Sequence, residues 1–217
     1  MHSRTFVPAL AYSWLTPIFD RVLAWTTREE SFRRMLVEQA GLERAERVLD
    51  LGCGTGTLAV RMKRGFPHAA VVGLDADEAM LERARAKSAA AGVDVQFDLG
   101  LAHALPYEDA SFDRVVSTLF FHHLDGTQKD RSLRETFRVL KPGGELHVAD
   151  WGRPTGPLMR GMFLVVRMTD GFSVTRDNVT GRLASLVDRA GFVRIRECGA
   201  MNMLFGTLRF LAAAKGG

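Results

Sequence analysis

The sequence predicts an α/β fold: a mostly parallel seven-stranded sheet with helices on both faces, a last strand that runs antiparallel, and an N-terminal helical arm. Three observations predict it. Apolar runs of strand length alternate with stretches of helical periodicity along the chain, the pattern of parallel strands joined by crossover helices. The run Val48-Leu49-Asp50-Leu51 leads directly into Gly52, Gly54 and Gly56, a strand that ends in a tight turn where backbone can approach a ligand. The 217 residues suffice for a single domain with a sizeable core, and no internal repeat or low-complexity stretch divides them.

The elements follow in order. Residues 1–45 form the arm, in which Ile18, Phe19, Val22 and Leu23 fall on one helical face. Pro17 suits the first turn of that helix and Thr16 its cap. A second helix is expected over Glu30–Ala40, stopped by Gly41. Strands are expected at 47–51, 70–75, 93–97, 112–117 and 145–150, with helices from Thr57, over 77–91 and over 127–140. Lys141-Pro142-Gly143-Gly144 has the composition of a turn. A Gly-, Met- and Arg-rich region runs from 152 to 181, and a helix over 179–190 and strands at 192–198 and 204–214 complete the chain. The short loop before the last strand favours antiparallel pairing. The division is an arm (1–45), a core (46–151), and a lid with the C-terminal strands (152–217).

The formal charge of +4 is mildly basic, but Lys and Arg are dispersed and form no block, so no nucleic-acid partner is expected. Cys53 and Cys198 stand far apart with no C-x-x-C, which suits a reducing compartment. No apolar run reaches bilayer length, and the start of the chain lacks the layout of a signal peptide. A cytoplasmic location is the expectation.

The glycine spacing is selective. A dinucleotide fingerprint reads G-x-G-x-x-G, whereas here the third glycine comes one residue earlier, followed by Thr57, and an acid stands two residues before the first. Asp50-Leu51-Gly52-Cys53-Gly54-Thr55-Gly56 resembles the first motif of class I S-adenosylmethionine (SAM) dependent methyltransferases. Leu105-Pro106-Tyr107, Ser111-Phe112-Asp113 and His122-His123-Leu124 resemble later segments of the same superfamily. Within it the chain is similar to the small-molecule methyltransferases of ubiquinone and menaquinone biosynthesis. The resemblance implies a Rossmann-like fold, SAM as cofactor, and methyl transfer to a small acceptor.

Open α/β sheets bind ligands outside the carboxyl ends of their strands, where Gly52, Gly54 and Gly56 fall. Asp50 is expected to hold this loop or to accept from the cofactor ammonium. Asp75 closes the second strand and suits a ribose diol held by charge-assisted bonds, while Asp77 suits the cap of the next helix. Ala76 and Met80 are candidate adenine neighbours, with a core role the alternative for Met80. Relatives often carry Gly-Asp-Ala after the third strand. Here the residues are Gly100-Leu101-Ala102, so adenine is expected to rely on the backbone of Leu101 and Ala102 and on apolar stacking. Thr118 ends the fourth strand beside the expected sulfonium. Tyr12 in the arm either closes the pocket and donates to the SAM carboxylate or packs as a plain aromatic.

His122 and Asp150 are the candidate catalytic residues. An imidazole titrates near neutrality, and Asp150, next to Trp151 at the end of the fifth strand, can orient or deprotonate a nucleophile. The alternatives are a turn-forming histidine and a capped turn. Two adjacent histidines with no third ligand make no metal site.

Between residues 152 and 181, Leu158, Met159, Met162, Phe163, Leu164, Val165, Val166 and Met168 are interspersed with Arg153, Arg160 and Arg167. Such a surface is greasy and adaptable. It suggests a hydrophobic acceptor, such as a prenylated quinone precursor or a lipid, with the arginines suited to anionic headgroups at a membrane surface. A lid helix burying its own apolar face, or a polar small acceptor, are the alternatives. The competing classes are a SAM-binding protein without catalysis, to which Leu101 lends weight, and a nicotinamide-dependent oxidoreductase, disfavoured by the glycine spacing.

Overall fold

The computed structural model describes residues 29–170, 177, 180–203 and 206–217. Tyr12 and the first arm helix lie outside the described residues. Seven strands form one sheet in the order β3-β2-β1-β4-β5-β7-β6. They are β1 (Arg47–Leu51), β2 (Ala70–Asp75), β3 (Gln96–Leu99), β4 (Phe112–Thr118), β5 (Leu140–Trp151), β6 (Val193–Met203) and β7 (Gly206–Ala214). β1 to β5 pair in parallel, and β7 runs antiparallel to both β5 and β6. The strand order turns back between β1 and β4, which opens a crevice at their carboxyl ends. Val48, Leu49 and Leu51 are fully buried, as a central strand covered on both faces requires.

Helices cover both faces. On one lie α1 (Glu29–Ala40), α2 (Thr57–Gly65) and α3 (Glu78–Ala91), which bury Phe32, Leu36, Leu58, Met62 and Leu81 against the sheet. On the other lie α4 (Gly126–Val139) and α6 (Leu183–Arg189), with Leu133, Val139, Leu186 and Val187 in a second core. Between β5 and α6, α5 (Pro157–Asp170) sends Phe163 edge-on to Trp151, with ring centroids 5.8 Å apart. Helix ends follow local chemistry. Asp77 caps α3 by accepting from Ala79 N–H at 2.9 Å, and Gly92, at φ 65°, ends it. Asp125 and Gln128 form a reciprocal capping box on α4.

Several boundaries differ from the sequence expectation: β6 runs on to Met203 rather than stopping at 198, α6 begins at Leu183 rather than 179, and two differences have a clear physical reason. β3 runs over Gln96–Leu99 rather than 93–97, in register with Val72 to Asp75. It is an edge strand that buries only Phe97, so apolar alternation marks it poorly. Lys141–Gly144 does not separate α4 from β5. It is an irregularity within the strand, its backbone satisfied by bonds between Gly143, Gly144 and Lys215.

Candidate functional site

The site begins where β1 ends. Gly52, Gly54 and Gly56 all adopt left-handed backbone, at φ 70°, 51° and 71°, a region that an L side chain enters only with strain. Their surroundings differ. A Cβ on Gly52 would fall 2.2 Å from Phe120 Cδ2, and one on Gly56 would meet Ala84 and Phe97 at 2.8–2.9 Å. A Cβ on Gly54 would meet nothing within 4 Å. Gly52 and Gly56 are thus glycines for packing, while Gly54 presents bare backbone to open space.

Asp50 is fully buried at the end of β1, and neither carboxylate oxygen has a hydrogen-bond partner among the described residues. Burial raises its pKa to about 7, against the opposing pull of the Arg33 cation and the nearby Ala59 N–H. An orphan buried carboxylate is costly and marks a place where an incoming cation is welcome.

Asp75, at the end of β2, fixes the loop from the other side. Its Oδ2 accepts from Gly54 N–H at 2.7 Å and its Oδ1 from Asp77 N–H at 3.1 Å. Burial raises its pKa, and the N–H groups of Gly54, Asp77 and Ala76 oppose that rise. Ala76 and Met80 are half-buried beside it. Gly100 N–H donates to Asp75 O at 2.9 Å, so the turn after β3 lies next to Asp75. In that turn Leu101 is 45% exposed and Ala102 is buried, the two ends closed by a bridge between Leu101 and Ala104. Asp98 is engaged elsewhere, accepting from Tyr107 Oη at 3.0 Å.

The carboxyl ends of β4 and β5 hold the candidate catalytic pair. Thr118 is half-buried there, and Leu119, which follows it, is left-handed at φ 49°, an unusual conformation for a leucine. His122 and Asp150 come together in the interior. His122 Nδ1 lies 2.6 Å from Asp150 Oδ1, and His122 N–H donates to Asp150 Oδ2 at 3.1 Å. Trp151 N–H donates to Asp150 Oδ1 at 2.7 Å. A carboxylate only accepts, so in the neutral ring Nδ1 carries the proton and Nε2 is the basic nitrogen. His123 is exposed. Nearby, Lys129 of α4 is fully buried, its Nζ 3.8 Å from Asp177. Burial lowers its pKa against the pull of Asp177, Asp150 and Asp125.

Sequence reasoning missed several of these partners. Phe120 fills the space that Gly52 leaves. Lys87 of α3 donates to the hydroxyls of Thr55 and Thr57, at 2.8 and 2.5 Å, and braces the glycine loop. Arg33 of α1 and Lys129 of α4 also went unread. None has a signal in local spacing, since each acts across elements. No helix among the described residues is long and apolar enough to cross a membrane.

The glycine loop, an acid at the end of β2 and an antiparallel β7 define a class I methyltransferase fold. Comparison with known proteins agrees. A methyltransferase domain family matches residues 48–144. The chain is 31% identical over 192 residues to an uncharacterized methyltransferase of Synechocystis sp., covering 86% of this chain and 85% of that protein. It is 36% identical over 147 residues to a demethylmenaquinone methyltransferase of Deinococcus radiodurans, covering 67% of this chain and 59% of that protein. Among solved structures, the apo SAM-dependent methyltransferase SibL superposes with a TM-score of 0.75 at 24% identity, covering 95% of this chain and 60% of that one. The chain belongs to the methyltransferase family, whose cofactor is SAM. It spans between 49% and 65% of the length of the first curated quinone-pathway relatives it matches. The described residues fit that cofactor on two counts: an orphaned buried carboxylate at the glycine loop, and a glycine whose open face admits a ligand.

Proposed function

We propose that this protein transfers a methyl group from SAM to a small hydrophobic acceptor, a quinone precursor or a lipid-like molecule. The observation that carries the cofactor half is the unpartnered Asp50 carboxylate beside the open face of Gly54. Asp50 takes the ammonium of the cofactor, and Gly54 lets the methionyl chain lie on backbone. Asp75 takes the ribose hydroxyls while it braces Gly54. Ala76, Met80, Leu101 and Ala102 line the adenine, and Thr118 closes the sulfonium end. Bound SAM supplies a methyl already activated by a positive sulfur, for in-line displacement. The protein's work is to align the nucleophile and exclude water. His122, held by Asp150 in the tautomer that leaves Nε2 basic, orients the acceptor or takes its proton when it arrives protonated.

The acceptor half rests on α5. Leu158, Leu164 and Met168 are 72%, 46% and 76% exposed and lie on one side of the helix, opposite the buried Phe163. Arg160 of the same helix is exposed, as is Arg153 in the turn before it. An apolar helix face rimmed by arginines suits peripheral contact with an anionic membrane that stores the acceptor.

Label transfer from SAM carrying a radioactive methyl, with a whole-cell extract as acceptor source, tests the reading. Enzyme-dependent label in the organic phase supports it. A new labelled product that stays in the aqueous phase refutes the hydrophobic acceptor and identifies a polar metabolite instead.

A further inference from the structure

We infer that a polar cavity beyond the end of β5 takes the headgroup of a phospholipid, a phosphodiester with one negative charge and free hydroxyls. The inference rests on the membrane-facing reading of α5 above and adds a built pocket to what is there only a surface. The cavity has a volume of about 580 Å³, and Arg153, Thr155, Thr180, Glu197 and Arg209 line it. It lies between the turn after β5, strands β6 and β7, and the turn before α6. In the sheet, β5 is two strands away from β1 and its glycine loop, so the cavity is a second site.

Arg209 is its fixed wall. The stem passes Gly152, where a Cβ would fall 2.5 Å from Arg209 Cγ, so that glycine leaves the space the stem occupies. Arg153 O accepts from Arg209 Nε and Nη2, at 3.1 and 3.0 Å, and Arg209 Nη1 pairs with Glu197 of β6. A glycine, a carbonyl and an acid thus orient one guanidinium, and two of its five N–H donors remain for a ligand. Charge narrows the ligand. Arg209 and Glu197 cancel. Arg153 is exposed, and no acid pairs with its guanidinium among the described residues. The lining therefore carries one net positive charge, which matches a monoanion and not a phosphate monoester with its charge of about −1.5 to −2. Thr155 Oγ1 donates its proton to Asn202 Oδ1 at 2.8 Å, so toward a ligand it only accepts, as does Glu197. The ligand must be an anion that also carries donors. A phosphoglycerol headgroup has both: a singly charged phosphodiester for the arginines, and hydroxyls for Thr155 and Glu197. Its chains have a place to go. Thr155 leads within two residues into α5, whose first turn holds Leu158, 72% exposed, so the apolar face starts next to the polar lining.

Two measurements test this without turnover. The first is calorimetry with dihexanoylphosphatidylglycerol kept below its micelle concentration, so that single lipids and no membrane are present. The wild type is expected to bind it, and about tenfold more tightly than glycerophosphoglycerol, which is the headgroup without chains. Arg153→Gln is expected to lose about tenfold in lipid affinity. That variant keeps the backbone carbonyl that holds Arg209, and its site is exposed, so the fold is preserved. Arg44→Gln makes the same charge change at an exposed residue just before β1, at the opposite end of the sheet, and is expected to stay within about twofold. The second measurement is flotation of the wild type with phosphatidylglycerol vesicles.

Absence of lipid binding would overturn the inference. So would equal losses in Arg153→Gln and Arg44→Gln, the mark of diffuse attraction rather than a pocket. Equal affinity for glycerophosphoglycerol would also overturn it, because the site would then serve a soluble phosphodiester. Any of these results together with flotation of the wild type leaves the membrane reading standing without the pocket. Lipid binding that depends on Arg153, without flotation, upholds the pocket and refutes the membrane contact.

Discussion

Replacing Asp50 by Asn should stabilise the cofactor-free protein at alkaline pH and weaken the site it serves. The carboxyl sits at a pKa of about 7 against 3.8 for an ordinary aspartate. At about 1.4 kcal/mol per tenfold in proton affinity, its ionised form costs the folded state about 4 kcal/mol. The folded protein holds this proton more tightly than the unfolded chain. The cost is therefore absent below pH 4, grows as pH rises toward 7, and is complete above it.

Asparagine removes the charge, and its amide is no worse partnered than the protonated carboxyl it replaces. The net gain at pH 8 is then about 4 kcal/mol, or roughly 8–16 °C in Tm for a chain of this size. At pH 4 a neutral carboxyl and a neutral amide are nearly equivalent, and the gain disappears. Thermal melts of both proteins across pH 4–8 measure it. Calorimetry adds the functional half. Asp50 must ionise to receive an ammonium, so the wild type should release protons when S-adenosylhomocysteine binds near pH 7, seen by comparing buffers of different ionisation enthalpy. The variant should lose both that release and about 10- to 100-fold in affinity. A variant destabilised equally at pH 4 and pH 8, with unchanged affinity, would refute the account of Asp50 as an orphan anion awaiting a cation.

Three further outcomes follow from the same geometry. Gly54→Ala should cost only the left-handed strain, about 1–2 kcal/mol, yet greatly weaken S-adenosylhomocysteine binding. Gly56→Ala adds collisions with Ala84 and Phe97 and should cost about 2–5 kcal/mol, so urea melts should rank the two in that order. Asp150→Ala leaves the N–H groups of His122 and Trp151 without their acceptor and should cost about 3–5 kcal/mol, read in the same melts. Leu101→Asp, at an exposed position, supplies an acceptor for the adenine amino group. It should tighten S-adenosylhomocysteine by about tenfold while leaving the affinity for S-inosylhomocysteine, which lacks that amine, unchanged.

What the sequence made legible was whatever is encoded within a few residues. The end of β1 is marked by burial on both faces, by an acid, and by three glycines that each need left-handed backbone, so strand, turn and helix start are fixed together. Asp75 was legible because a crossover helix has a narrow range of lengths, which sets where β2 must end. Asp77 announced itself as a cap. β3 was misplaced because an edge strand with a single buried residue has no alternation to read. Lys141–Gly144 carries turn composition, but its pairing with Lys215 depends on a C-terminal strand more than sixty residues away. Phe120 over Gly52 and Lys87 on Thr55 and Thr57 are contacts between elements, and no periodicity within one segment encodes them. The left-handed Leu119 is harder still, because leucine is a residue that ordinarily argues against that conformation.

The same division explains how the site can be both rigid and receptive. Its scaffold is over-determined: Asp75 holds Gly54, Lys87 holds Thr55 and Thr57, Phe120 fills the face of Gly52, and Ala84 with Phe97 crowds Gly56. Those contacts hold the loop in place, and the Asp50 carboxylate has no hydrogen-bond partner among the described residues. An uncompensated anion of this kind persists only when neighbouring contacts are strong enough to hold it. The cost measured by Asp50→Asn is therefore set by the bracing residues as much as by Asp50. Removing the brace at Lys87 should lower that cost by letting the loop relax toward the carboxylate, and should lower cofactor affinity with it.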